Sequence, residues 1–139
     1  MPPITASPNT VILLAQPERD DRELYLAYLR QRHFLAVAVS MAADALTLAP
    51  QVDLIVTESL LPGSLDGVAL VARLKNAQRT RAIPVIMLTS CAWPSERDRA
   101  YAAGCDVFLA KPCVPDLFVT EIRRLLARHH RAAPATRAS

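Results

Sequence analysis

Glu58 stands at the end of the apolar run LIVT, in the stretch DLIVTESLLPG, and the run reads as a strand buried on both faces. A carboxylate at the end of such a strand is a group with chemistry to perform or a charge to balance. Three other polar pieces hold the same position relative to apolar runs. Gln16 and Pro17 follow VILLA, Thr89 and Ser90 close IPVIMLT, and Lys111 and Pro112 follow DVFLA. Each by itself is an ordinary loop residue. Four such pieces at one edge form a candidate site, because open parallel sheets bind ligands beyond the carboxyl ends of their strands.

The elements that must position these residues follow from periodicity. Val11–Ala15 is a strand, and residues 18–32 form a helix with Leu24, Tyr25, Tyr28 and Leu29 on its inner face. Phe34–Val39 is a second strand, after which Ser40 is placed as the N-cap of a short helix that Pro50 stops. Leu54–Thr57 is the third strand, and Asp66 caps a helix from Gly67 to about Asn76. Ile83–Thr89 is the fourth strand, and a polar helix from Pro94 to Ala103 ends at Gly104. Asp106–Ala110 is the fifth strand, and a last helix runs from Pro115 to about His129 with Phe118, Ile122 and Leu125 inward. Short apolar strands alternating with amphipathic helices predict an α/β fold, a five-stranded parallel sheet with helices on both faces in a (βα)5 flavodoxin-like arrangement.

The chain of 139 residues fits one domain, 52% hydrophobic and only 5% aromatic, so its core must be aliphatic. Residues 1–10 read as a flexible arm, 11–129 as the domain, and 130–139 as a basic tail or linker stub. The net charge of +3 is concentrated at the end: five arginines and one acid from Glu121 onward give +4, leaving −1 for the rest. That favours a solvated helix end over nucleic-acid binding. The start has no basic residue and no h-region, and no run approaches the ~18 apolar residues of a membrane span. Three cysteines without a CxxC pair suit a reduced, cytoplasmic protein. Cys91 and Cys113 follow strands at the same edge, which places them as near neighbours. The three glycines fit neither GxGxxG nor GxxxxGK[ST], GxSxG is missing, and the histidines lack metal-ligand spacing.

The segments ESLLPGSLDG, VIMLTS and FLAKP, each at its expected strand end, resemble the receiver (CheY-like) domain of bacterial two-component response regulators. The similarity runs from about Val11 to Arg128. It implies an aspartate at the end of the third strand that takes a phosphoryl group from a histidine kinase, an acidic pair after the first strand that holds magnesium, a Ser or Thr after the fourth, and a Lys before proline after the fifth. Thr89 and Lys111 match the last two, and Phe108 matches the aromatic switch position without a phenolic oxygen. The centre departs from the pattern. Glu58 stands in place of the aspartate, and Gln16 and Pro17 in place of the acidic pair. The piece GSLDG is one residue longer than the common form.

Magnesium is usually held by one or two carboxylates plus phosphate oxygens, and Gln16 and Pro17 supply no charge. Glu58 carries its carboxylate one methylene farther out, roughly 1.5 Å, which in-line transfer tolerates poorly. Glu18 is the one nearby acid left to swing in. The expectation is therefore an atypical receiver that is no enzyme, binds magnesium very weakly or not at all, and has no metal site. Glu58 then either pairs with Lys111 or imitates a phosphoryl group against Lys111 and Thr89. Function would lie in contact with a protein partner: a histidine kinase, an output domain or another signalling protein. The alternative is a receiver that still accepts phosphate weakly through an altered site. A homodimer through the fourth helix, fifth strand and fifth helix would use Tyr101, Arg123 and Arg124, with Glu96 or Asp98 pairing to the arginines. Trp93, in the loop CAWPS, is either an interaction hot spot or a lid over the altered site.

Overall fold

The computed structural model describes residues 9–132 of the chain, with the side chains of residues 130–132 left undescribed. The proposed arm (apart from Asn9 and Thr10) and the proposed tail past residue 132 lie outside the described residues. The strands are β1 (Val11–Ala15), β2 (Leu35–Val39), β3 (Leu54–Thr57), β4 (Val85–Thr89) and β5 (Val107–Ala110). They alternate with α1 (Arg19–Gln31), α2 (Ala42–Leu48), α3 (Gly67–Lys75), α4 (Pro94–Ala103) and α5 (Pro115–Ala132). All strand pairs are parallel, in the order β2-β1-β3-β4-β5, so the winding reverses between β1 and β3. This is the predicted α/β architecture.

Each central strand is buried on both faces because its alternate side chains feed two cores. Leu13, Ile55, Val85 and Met87 pack with Ala45, Val68, Val71, Leu74 and Ala100 from α2, α3 and α4. Ile12, Leu14, Val56, Ile86 and Leu88 pack on the other side with Tyr25 and Leu29 of α1 and Phe118, Ile122 and Leu125 of α5. Asp66 caps α3 as expected, its carboxylate accepting the Ala69 N–H at 2.8 Å. Gly104 ends α4 with φ 112°, a left-handed turn that glycine enters without steric cost.

Several sequence expectations shift, among them the starts of β4, at Val85 rather than Ile83, and of β2, at Leu35 rather than Phe34. Met41, not Ser40, takes the cap position of α2 and makes no side-chain cap, because the chain stays extended one residue longer. Leu24 is 44% exposed, since Tyr25 and Leu29 already define the inward line of α1 one turn apart. β5 begins at Val107, because the Asp106 carboxylate turns back to accept the Val85 N–H at 2.8 Å. Finally, α5 continues past His129 to Ala132.

Candidate functional site

The site is assembled by main-chain bonds that run one residue past β1, β3 and β5. Gln16 N–H donates to the Val39 carbonyl (3.0 Å), Glu58 N–H to the Ala15 carbonyl (2.9 Å) and Lys111 N–H to the Thr89 carbonyl (2.9 Å). Gln16, Glu58 and Lys111 are therefore held by the sheet rather than by loops. Arg22 in α1 donates from one nitrogen to the carbonyls of Gln16 (2.9 Å) and Pro17 (2.7 Å), fixing the turn after β1.

Lys111 is the centre. Its ammonium donates to Glu58 Oε2 at 2.9 Å, Gln16 Oε1 at 2.6 Å and Asp21 Oδ2 at 2.7 Å. An ammonium has three donors, and all three are used. Glu58 is buried, 5% exposed, and its second oxygen accepts the Thr89 hydroxyl and the Ser59 N–H (2.8 Å). Ser59 and Thr89 hydroxyls lie 3.0 Å apart, and Thr89 Oγ1 also accepts the Cys91 N–H at 2.9 Å. One carboxylate thus bridges Thr89 and Lys111. Burial works against the Lys111 charge, but the hydrogen bonds and charges of Asp21 and Glu58 outweigh it and hold its pKa above the ordinary lysine value of 10.5. The Tyr25 ring, 5.9 Å from the ammonium, lies at its apolar side, and burial raises the Tyr25 hydroxyl.

The structure brings together Gln16, Glu58, Thr89 and Lys111, as their strand-end positions implied. It leaves Glu18 exposed and puts Asp21 in the site instead. Asp21 is the residue that sequence reasoning missed. Acids in the first turn of a helix are so common as partners of the helix dipole that Asp20 and Asp21 carried no separate signal. Pro17 contributes only its carbonyl, already bound by Arg22.

The other candidates lie around this centre. Phe108 is half-buried against the α2–α4 side core, and its N–H donates to the Tyr101 hydroxyl at 3.0 Å. Tyr101 is 46% exposed on α4. Trp93 is 68% exposed. Arg124 is exposed and pairs with Glu121 within α5. Arg123 is not outward as expected. It is half-buried, with its guanidinium 6.0 Å from the centre of the Phe34 ring. Glu96 is buried and bonded to Arg99 at 2.5 Å, which removes it from the proposed pairing across α4 and α5. Cys91, Cys105 and Cys113 are free thiols, and among the described residues no group of three His, Cys, Asp or Glu side chains could hold a metal. Burial pushes the Cys105 thiol up to about 12 and raises Cys113, so neither is an activated nucleophile.

The family model for the response regulator receiver domain matches residues 12–123. The chain belongs to that family. This receiver domain is 33% identical over 82 residues to Response regulator Rre1 of Synechocystis, covering 59% of this chain and 35% of that protein. It is 32% identical over 119 residues to the phosphate regulon transcriptional regulatory protein PhoB of Escherichia coli, covering 84% of this chain and 52% of that protein. The chain therefore spans about half or less of these relatives. Among solved structures, a response regulator from Chloroflexus aurantiacus superposes with a TM-score of 0.82 at 26% identity, over 86% of this chain and 99% of that one. A receiver domain from a Pseudomonas aeruginosa sensor histidine kinase, solved with magnesium coordinated in its active-site cleft, gives 0.79 at 25% identity, over 86% and 98%. The family match, and not the fold alone, makes this a response regulator receiver domain of the two-component class. Among the described residues, no helix is long and apolar enough to cross a membrane.

Proposed function

We propose that this receiver domain signals by protein contact without taking a phosphoryl group, in a reduced cytoplasmic setting. The supporting observation is the Lys111 ammonium, bound at once by Glu58, Asp21 and Gln16. Magnesium would need those same oxygens, and Lys111 already occupies them with a full hydrogen-bond set, offsetting one of the two carboxylate charges. The donor set suits an internal ammonium better than a hydrated dication, which demands octahedral geometry and gives up water reluctantly. Glu58, in turn, reaches Thr89 and Lys111, the two residues that by resemblance would grip a phosphoryl group. It supplies one fixed negative charge where a phosphate supplies nearly two, so the domain rests in one state. Its partner is a protein of the two-component class, a kinase or an output domain.

The test is incubation with acetyl phosphate, or beryllofluoride, and magnesium. The expected result is no mass shift and no change in the amide spectrum around Glu58 and Thr89. A covalent phosphoryl adduct, or a saturable magnesium response, would establish the second reading, weak acceptance at an altered site. Asp21 is the observation that favours that reading, since it brings a carboxylate to the edge where β1 itself provides none. Trp93 is the leading contact residue, beside Tyr101 and Arg124 on the α4–β5–α5 face. Trp93→Ala is expected to move the unfolding free energy by less than about 0.5 kcal/mol, as for surface substitutions. A larger loss would make the ring part of the packing instead of a free contact.

A further inference from the structure

β2 is the outermost strand, bonded on one side to β1. The Leu35 N–H goes to the Thr10 carbonyl, and the Val39 carbonyl accepts the Gln16 N–H. Residues 35, 37 and 39 therefore turn their main-chain groups toward β1, and by the alternation of a parallel strand Ala36 and Ala38 turn theirs outward. The Arg30 guanidinium covers one of these four groups, the Ala36 carbonyl, at 3.3 Å. Exposed edges are commonly blunted by charged residues, proline or a bulge, and LAVAV has none of these. Leu35 is 51% exposed and Val37 36%, on the face that the short, alanine-rich α2 leaves partly uncovered.

We propose that β2 is a self-association edge, where two copies of this chain pair antiparallel about a two-fold axis at Val37. The strand is nearly a palindrome around that residue, reading Leu-Ala-Val-Ala-Val. Antiparallel pairing sets Val37 against Val37, Leu35 against Val39, and Ala36 against Ala38 of the second copy. The outward-facing residues are then the ones that exchange both N–H···O bonds, giving four bonds across the axis. The second copy displaces Arg30 from the Ala36 carbonyl, and the freed guanidinium, already exposed on α1, turns to solvent. A five-residue strand pair falls below the ~1,200 Å² of a stable interface, so the dimer is weak and reversible.

Sedimentation equilibrium from low micromolar to millimolar protein tests this edge. The average mass is expected to rise toward twice the monomer. Ala38→Pro removes an outward N–H that β1 does not use, which an edge strand tolerates, and Val37→Lys places two like charges on the axis. Both are expected to remain monomeric with an unchanged circular dichroism spectrum, whereas Arg124→Glu on α5 dimerises like the parent. A parent that stays monomeric throughout, or a dimer unaffected by Val37→Lys, overturns the proposal. So does a dimer abolished by Arg124→Glu. If Ala38→Pro fails to fold, Val37→Lys alone decides.

Discussion

Gly67→Ala is expected to abolish the native fold or to destabilise it by more than about 4 kcal/mol, at the extreme of single substitutions. A Cβ at this position would lie 1.9 Å from the Glu58 carbonyl oxygen and 2.8 Å from the Glu58 carbonyl carbon and Ser59 Cα. All three are backbone atoms, so no rotamer change relieves the clash. The Gly67 N–H donates to the Ser59 carbonyl at 2.7 Å, which pins the first residue of α3 onto the turn after β3. Moving the helix away would break that bond and uncover Val68, Val71 and Leu74. Urea unfolding of the purified variant, or its absence from the soluble fraction, is the measurement. A loss below about 1 kcal/mol would mean that α3 slides freely over the turn, contrary to this packing.

Lys111→Met is the second large effect. It leaves Glu58 buried with no cation, and breaking a buried pair by deleting one partner costs about 3–5 kcal/mol. Asp21, whose side chain is 35% exposed, can turn to water, so most of the loss belongs to Glu58. Lys111→Met combined with Glu58→Gln is therefore expected to recover most of the stability, because it removes the orphaned charge. Denaturant midpoints of the parent, the single and the double variant decide this; a double variant no better than the single one would refute it. The same pair predicts lability in alkali. Lys111 has a folded pKa raised above 10.5, so its stabilisation is complete below that value and is lost as pH rises through the folded pKa. Cys105 adds to this between 9.0 and about 12, where the unfolded thiol ionises and the buried one does not. The parent should lose stability across that range, and Lys111→Met should lose less.

Much of the site was legible because strand ends are legible. Gln16, Glu58, Thr89 and Lys111 each close an apolar run, and a parallel sheet sends all such ends to one edge. The main-chain bonds that continue one residue past β1, β3 and β5 turn that edge into a rigid frame. Asp21 was hidden for the opposite reason. It sits on a helix, and whether its carboxylate faces the sheet edge depends on how α1 rolls on the core, which Tyr25 and Leu29 set through packing.

The amino-acid pattern by itself determined the alternation of strands and helices, the parallel sheet, and the standing of Gln16, Glu58, Thr89 and Lys111 at strand ends. These are local or periodic properties, written within a few residues of each other. Tertiary structure alone decided where the charges went: Asp21 onto Lys111 from 90 residues away, Arg123 over Phe34, Glu96 inward to Arg99. It also left Trp93 in solvent and the β2 edge open. Side-chain partners are chosen by distance in space and by desolvation, and neither quantity has a period that can be read along the chain.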